Sequence, residues 1–299
     1  MTFATLIQLM IGGIASGSIY ALVALGLYVT HLTVDKVNFG QGDFMMVGAF
    51  LLLSTRAAGL PLLVCVPLVI LALGLLGWAL ERVAIRPLER ARRSPLGSYS
   101  WILTTAGVAF ILQNVIELVH GRSVQHPTPL LPGGHDAIVH MMGVGFALEE
   151  LLVVGAVAVL VAAFYFFVFR SRWGSSILAV AFNPEASSLL GVNTPAIKTG
   201  VFVLASMLAG AAGVLIGTLI TLHPHIGLIF TIKALIVAAV GGFSNPVGIF
   251  VGGLLFGVAE SLSNYADSSF GDLYPLIGAL FVIAIKPSGL FAERAAHVR

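Results

Sequence analysis

The sequence has few charged side chains. Lys, Arg, Asp and Glu make up 9% of its 299 residues, whereas apolar residues make up 58% and the mean hydropathy is +1.03. A soluble domain of ordinary composition carries about 25% charged residues. Several apolar runs also reach the roughly 20 residues that a helix needs to cross a bilayer. The composition therefore excludes an ordinary soluble domain and predicts an all-α integral membrane protein.

Motifs of catalysis and cofactor binding are missing as well. The only cysteine, Cys65, lies in an apolar run, so no intramolecular disulfide can form. There is no phosphate-binding glycine loop with its lysine, no nucleophile elbow and no zinc-protease helix. His223 and His225 flank a proline, but no cysteine or acidic cluster completes a metal site. We expect no catalytic residue, metal, cofactor or nucleic-acid partner, and no ATP hydrolysis by the chain itself.

Apolar runs and helix breakers together predict a polytopic bundle of about nine spanning segments, with eight to ten as the bounds. The start of the chain has no basic n-region and no cleavage site, so the first segment is interpreted as a retained span. The second and the last are short, which is typical of half-helices or re-entrant segments. All belong to one transmembrane domain, residues 1–299. The segments are 6–30, 41–55, 61–80, 100–119, 148–169, 196–221, 229–242, 247–263 and 273–286.

Basic residues are unevenly distributed between the loops. Loops 120–147 and 264–272 contain a single arginine, Arg122, between them. Because cytoplasmic loops carry the excess of Lys and Arg, the N-terminus is predicted outside and the C-terminus in the cytoplasm. The basic residues on the predicted cytoplasmic side are Arg82, Arg86, Arg90, Arg92, Arg93, Arg170, Arg172, Lys198, Lys286, Arg294 and Arg299.

Residues 170–198 form the polar exception in this apolar chain. Asn183, Pro184 and Glu185 are typical of an N-cap, a first helical position and a first-turn carboxylate, and Gly191 of a helix end. Thr194 and Pro195 repeat the start signal for the next span. The pattern predicts one short amphiphilic helix at the membrane surface. Its apolar residues would be exposed without a soluble partner; they are Ala186, Leu189 and Leu190.

Two glycine-rich segments, 38–44 and 241–246, interrupt helices inside the apolar zone. Non-helical backbone is tolerated at membrane depth only when it is buried in protein or lines a wet cavity. Paired interruptions of this kind point to a translocation pathway. Asp43 is interpreted either as a functional charge or as the cap of a half-helix, and Lys233 either as functional or as snorkelling to the interface. The predicted pathway residues are Asn38, Gly40, Gln41, Gly42, Asp43, Gly241, Gly242, Ser244 and Asn245.

Glycines also recur at four-residue spacings that let helix backbones approach closely. Packing within one subunit is the favoured interpretation, with a contact between subunits as the alternative. The pairs are Gly13 with Gly17, Gly213 with Gly217, Gly248 with Gly252, and Gly253 with Gly257.

In this order and spacing, several motifs resemble those of LivH-type permease subunits of bacterial branched-chain amino acid ABC importers. The resemblance covers nearly the whole chain. It departs from the family at Gln41, which is commonly His, at Asp43, which is commonly Glu, and at Ser187, which replaces the second Ala of an E-A-A-x-x-x-G pattern. The motifs are GSIYALVALG at 17–26, VNFGQGD at 37–43, ER at 81–82, RPLER at 86–90, TTAG at 104–107, QN at 113–114, GGFSNPVG at 241–248 and KPSGLF at 286–291.

The resemblance implies a passive amino-acid pathway in the bacterial inner membrane, driven by partner proteins. These are a second, LivM-like permease subunit, two cytosolic ATP-binding subunits and a periplasmic substrate-binding protein. Residues 174–193 correspond to the family's coupling segment, which docks into a groove of the ATPase subunit. The residues expected to couple are Arg172, Gly174, Asn183, Pro184, Glu185, Ala186, Leu189, Leu190 and Gly191.

The sequence is also compatible with other functions. The substrate in the same family is alternatively urea or another small polar metabolite. From a different class, an ion-coupled secondary transporter or a channel would use Asp43 or Lys233 as its coupling group. A membrane enzyme is disfavoured because no catalytic constellation is found.

Overall fold

The structure, a computed structural model, describes residues 3–90, 100–126, 129–130, 138–141 and 144–291. The predicted loop arginines Arg92 and Arg93 and the tail arginines Arg294 and Arg299 lie outside the described residues. The helices are α1 (Phe3–Val34), α2 (Gln41–Ala57), α3 (Leu62–Ala79), a π-helix (Leu80–Ile85), α4 (Arg86–Arg90), α5 (Ser100–His120), α6 (Leu148–Arg170), α7 (Arg172–Phe182), α8 (Pro184–Leu189), α9 (Thr194–Leu219), α10 (Ile226–Gly241), α11 (Pro246–Ala266) and α12 (Leu273–Ile285).

The predicted fold class, an all-α polytopic membrane protein, is confirmed. Six helices of the described part are long and apolar enough to span a membrane: α1, Leu62–Leu88, α5, α6, α9 and α11. Two shorter apolar helices, α10 and α12, and the 17-residue α2 accompany them. Helices α2 and α12 correspond to the two segments that were expected to be short. A small antiparallel hairpin, β1 (Ile138–Met141) with β2 (Val144–Ala147), precedes α6 and was not predicted.

Helix α1 forms the centre of the bundle. It packs against α6, α9, α10 and α11, and its residues from Gly17 to Thr30 are buried. A Cβ atom on Gly17 would overlap the carbonyl oxygen of Gly253, and one on Gly257 would overlap that of Gly13. The four-residue glycine spacings on α1 and α11 therefore serve packing within one subunit, as favoured from the sequence.

Contacts along the helices define two ends of the bundle. Gly12 lies beside Glu150 and Tyr28 beside Phe164, so α1 and α6 run in the same direction. Helix α11 runs antiparallel to α1, and Phe243 just before it contacts His31 near the end of α1. The C-termini of α1 and α6 and the N-termini of α9 and α11 thus share one end, which we call the coupling end.

After α1 the chain turns back into the bundle before α2 begins. Gln41, the first residue of α2, contacts Gly26, eight residues before the end of α1, and donates to the backbone oxygen of Ala205 in the middle of α9. Eight helical residues correspond to about 12 Å. The start of α2 is therefore at membrane depth, which explains its short length.

Candidate functional site

The first turns of α2 and α10 meet inside the bundle. A Cβ atom on Gly42 would overlap the carbonyl oxygen of Gly227 and lie 2.7 Å from the backbone nitrogen of Thr231. The Thr231 hydroxyl oxygen accepts a 2.9 Å hydrogen bond from the Gly42 N–H and donates to the Gly227 carbonyl. The chain between α9 and α10 is thus a second interruption of helical structure, at the same membrane depth as the start of α2. We call this contact the half-helix junction.

Asn38 and Gln41 close the junction on the α9 side. Asn38 accepts a 3.0 Å hydrogen bond from the Gly40 N–H and donates to Oε1 of Gln41 at 3.3 Å. Gln41 donates in turn to the Ala205 carbonyl at 2.8 Å. Both amides are buried. Since a buried polar group costs free energy unless it is hydrogen-bonded, these bonds fix the re-entrant turn in one conformation.

Asp43 begins a chain of polar side chains that leads out of the junction. Its Oδ1 accepts a 2.7 Å hydrogen bond from Gln113 of α5, whose Oε1 lies 3.1 Å from Nδ1 of His225. Nε2 of His225 lies 3.3 Å from a carboxylate oxygen of Glu117, which also binds Arg122. Asp43 is fully buried, and its Oδ2 has no hydrogen-bond partner among the described residues.

The second predicted interruption lies elsewhere. Gly241 ends α10, Gly242 has a φ of +93°, and Ser244 is exposed. Asn245 caps α11 by accepting from Val247 and Gly248 at 3.0 and 3.2 Å. Its amide donates to the Phe291 carbonyl at 3.2 Å.

The structure does not bring the two predicted groups of pathway residues together. Fourteen helical residues, or about 21 Å, separate Gly227 at the half-helix junction from Gly241 at the coupling end. The spatial partner of residues 38–43 is instead the turn before α10, which contains Pro224, His225 and Gly227. Pro224 and Gly227, two helix breakers close together in the sequence, indicate this turn. The seventh span was nevertheless predicted to begin only at 229.

Lys233 is held by an ion-pair cluster rather than snorkelling alone. Its Nζ lies 2.9 Å from Glu260 and 3.2 Å from Asp272. Tyr20 donates a 3.0 Å hydrogen bond to the same Glu260 oxygen, and its ring centroid is 5.4 Å from the ammonium. Lys233 and Glu260 are nearly buried, so each neutralises a charge that would be costly alone. Glu260 was not singled out from the sequence.

Residues 170–198 form two short helices at the coupling end, where one was predicted. The missed helix, α7, begins after Ser171, whose hydroxyl accepts from the Gly174 N–H at 2.9 Å. Gly174, Ile177 and Val180 form its buried face. A Cβ atom on Gly174 would overlap carbonyl oxygens at the end of α6, so this corner requires glycine.

Helix α8 begins and ends as the sequence predicts. Asn183 accepts a 2.9 Å hydrogen bond from the Ala186 N–H, Pro184 is the first helical residue, and Gly191 follows the helix with a φ of +85°. For α9 the cap is Asn193 rather than Thr194, with Asn193 accepting from Ala196 at 3.2 Å.

The outer face of α8 is apolar and exposed. Leu189 and Leu190 are 88% and 85% exposed, and Phe182 just before the helix is 94% exposed. Arg172, Glu185 and Ala186 are also exposed, whereas Ser187 is buried and its hydroxyl donates to the Asn183 carbonyl at 2.8 Å. The serine that departs from the family pattern therefore points into the protein and not toward a partner.

A bundle of apolar helices with a polar re-entrant junction in its interior and exposed, capped helices at one end has the architecture of a membrane transport protein. The chain matches the family described as "Branched-chain amino acid transport system / permease component" over residues 9–285 and belongs to it.

Named relatives cover almost the whole chain. It is 28% identical to the high-affinity branched-chain amino acid transport system permease protein LivH of Escherichia coli, over 97% of both chains. It is 30% identical to the permease protein BraD of the corresponding system of Pseudomonas aeruginosa, over 96% of both. A probable LivH of Methanocaldococcus jannaschii is 25% identical, over 93% of this chain and 90% of the relative. No solved structure matches the chain.

Proposed function

We propose that the chain is the permease subunit of an ABC importer that moves branched-chain or related amino acids across the bacterial inner membrane. The family match and the names of the full-length relatives support this substrate class. The proposal includes an outer N-terminus and a cytoplasmic coupling end, which agrees with the basic residues near α4, α7 and α9.

The proposed assembly contains a second permease subunit, two ATP-binding subunits and a periplasmic substrate-binding protein. The chain itself is not an enzyme in this proposal: ATP is hydrolysed by the ATP-binding subunits, and the permease provides the path. Together with the exposed residues Arg172 and Glu185, the outer face of α8 is the proposed contact for an ATP-binding subunit.

The exposed apolar face of α8 carries the proposal. Leu189 at the end of α8 and Leu190, its C-cap residue, are both more than 80% exposed, and the helix is capped by Asn183 and followed by Gly191. An ordered, exposed apolar surface of this kind is typical of a protein contact site. The rigid caps reduce the conformational entropy that a partner must remove on binding.

A continuous path connects this face with the half-helix junction. Asn193 caps α9 four residues after the end of α8, and Ala205, about 18 Å further along, accepts the hydrogen bond of Gln41. Movement of α8 by the ATP-binding subunits would therefore shift the α9 backbone to which the re-entrant turn is bonded. The ATP-binding subunits bias the pathway only through contacts that differ between their states.

Co-purification with the cognate ATP-binding subunits tests the proposed contact. The variant combines Leu189→Asp with Leu190→Asp, and the control Val124→Asp places a carboxylate at another exposed aliphatic residue. We expect the ATP-binding subunits to be lost from the double variant and retained by the control. Retention of both subunits by a folded double variant would contradict the proposal.

The buried carboxylate of Asp43 favours a second candidate, an ion-coupled secondary transporter. A fully buried acid with one unpartnered oxygen is a typical ion- or proton-coupling group. This candidate predicts uptake by the purified chain alone and its loss in Asp43→Asn. The importer proposal predicts no uptake without ATP-binding subunits.

Urea or another small polar metabolite is the alternative substrate within the importer proposal. Ligand binding by the cognate substrate-binding protein distinguishes the two. We expect leucine, isoleucine or valine to bind and urea not to compete.

A further inference from the structure

One face of helix α3 changes from apolar to aromatic to basic as the helix approaches the coupling end. The helix continues through the π-helix to Leu88. Leu71 and Leu75 on this helix are each 66% exposed, Trp78 is 44% exposed, and Arg82 follows at the next turn. Spacings of four and three residues keep Leu71, Leu75 and Trp78 on one face of α3. Arg82, in the π-helix, lines the same cavity as Trp78.

The basic part of this face borders a cavity. Trp78, Arg82 and Arg86 line about 360 Å³ of space together with Asn193, Ala196 and Thr199 from the first turns of α9. Within the described part of the chain, no carboxylate forms an ion pair with either arginine. The neighbouring Glu81 is buried and accepts a 2.8 Å hydrogen bond from Thr199 instead. Among the described residues, the lining of the cavity therefore carries two guanidiniums and no carboxylate, and Glu81 is one hydrogen bond away behind Thr199.

The positive end of α9 strengthens this potential. The helix has 26 residues, and its N-terminus adjoins the cavity through Asn193 and Ala196. A helix N-terminus carries roughly half a positive charge. Two guanidiniums in this field match a phosphate group, which arginine binds through paired hydrogen bonds.

We propose that this face, Leu71 to Arg86, binds one anionic phospholipid. Arg82 and Arg86 bind its phosphate, Trp78 lies at the level of the glycerol backbone, and Leu71 and Leu75 contact an acyl chain. The order of side chains follows the order of a lipid's own parts, since aromatic rings prefer the interface and basic side chains the headgroups.

The exposed leucines distinguish a lipid from other anions. Leu71 lies about 16 Å along the helix from Arg82, which is beyond the reach of a free phosphate bound at the arginines. An acidic patch of a soluble partner would likewise meet the arginines but not Leu71 or Leu75. The site depends neither on the transported substrate nor on the proposed coupling by α8.

Thermal unfolding of the purified protein in neutral detergent tests the site. Phosphatidylglycerol, phosphatidylcholine and inorganic phosphate are added separately to the wild type, to Arg82→Gln/Arg86→Gln and to the control Arg56→Gln at the other end of the bundle. We expect only phosphatidylglycerol to raise Tm, with half-saturation shifted about tenfold or more to higher lipid in the double variant. An equal effect of inorganic phosphate, or an unchanged lipid response in the double variant, would overturn the proposal.

Tryptophan quenching supplies a measurement that does not depend on stability. With Trp101→Phe and Trp173→Phe, Trp78 is the remaining one of three tryptophans. In mixed vesicles, brominated phosphatidylglycerol should quench Trp78 at lower mole fraction than brominated phosphatidylcholine, and Arg82→Gln/Arg86→Gln should abolish that preference. Equal quenching by both lipids in the parent protein would refute the site. So would loss of the ATP-binding subunits from the double variant while its lipid preference stays intact.

Discussion

Gly42 and Gly227 bring the first turns of two half-helices into backbone contact in the middle of the bundle. A side chain at either position would overlap the other helix or the carboxylate of Asp43. The contact makes residues 38–43 and the turn before α10 one structural unit, although they are far apart in the sequence.

Substitution of Gly42 by alanine should therefore destabilise the protein. The added methyl group would meet backbone atoms, which cannot move as a side-chain end does, and overpacking of this kind costs about 1–3 kcal/mol. The expected result is a lower Tm and reduced uptake. Gly107→Ala is the matched control, because a Cβ there meets nothing within 4 Å. Equal Tm values for Gly42→Ala and Gly107→Ala would show that α2 and α10 are not in close backbone contact at the half-helix junction.

The ion pair of Lys233 with Glu260 should show strong coupling between its partners. Removing one partner of a nearly buried pair leaves an uncompensated charge, which costs about 3–5 kcal/mol, whereas replacing both costs much less. We expect Lys233→Met to lower Tm more than Lys233→Met combined with Glu260→Gln. Simple additivity of the two single effects in thermal unfolding would contradict the buried pair.

Ser187→Ala should leave the association with ATP-binding subunits unchanged. The hydroxyl is buried against the Asn183 carbonyl and does not reach the exposed face of α8. Glu185→Ala, on the exposed face, should weaken the association, which titration of the ATP-binding subunits onto the immobilised permease measures. If Ser187→Ala weakened the association more than Glu185→Ala, the contact with the ATP-binding subunit would not lie on the exposed face of α8.

Gln41→Ala should reduce uptake more than it reduces ATP-binding-subunit association. The variant leaves the Ala205 carbonyl without its side-chain donor and removes the connection between α9 and the re-entrant turn. A lost buried hydrogen bond of this kind costs about 1–3 kcal/mol. Uptake into proteoliposomes and co-purification of the ATP-binding subunits are measured in parallel on the assembled importer. Proportional loss of both would argue against a role of Gln41 in coupling.

Helix punctuation and hydropathy predicted much of this molecule. Local backbone preferences depend on neighbouring residues and are therefore visible in the sequence. They predicted the cap at Asn183, the helix end at Gly191 and the short second span. The family resemblance and the role of the glycine spacings in packing within one subunit were also predictable, since they rest on ordered motifs and on glycine spacing. That α1 packs on α11 in particular emerged only from the structure.

The pairing of interruptions was not predictable in the same way. Residues 241–246 look like residues 38–44, with an asparagine beside glycines, yet Asn245 serves as a helix cap and the true partner turn contains His225. Only three-dimensional packing decides which interruption meets which. Likewise, Lys233 reaches Glu260 and Asp272 on later elements, and no local pattern pairs residues so distant in sequence. Helix α7 was missed because its apolar face is short and continues an apolar span.

Uptake of leucine into proteoliposomes shows most clearly whether this chain is an ATP-dependent permease. The purified chain is reconstituted with its second permease subunit and binding protein, with and without the ATP-binding subunits. We expect uptake only when the ATP-binding subunits and ATP are present, and no uptake in Leu189→Asp combined with Leu190→Asp. Uptake driven by an ion gradient in vesicles without ATP-binding subunits would contradict this expectation.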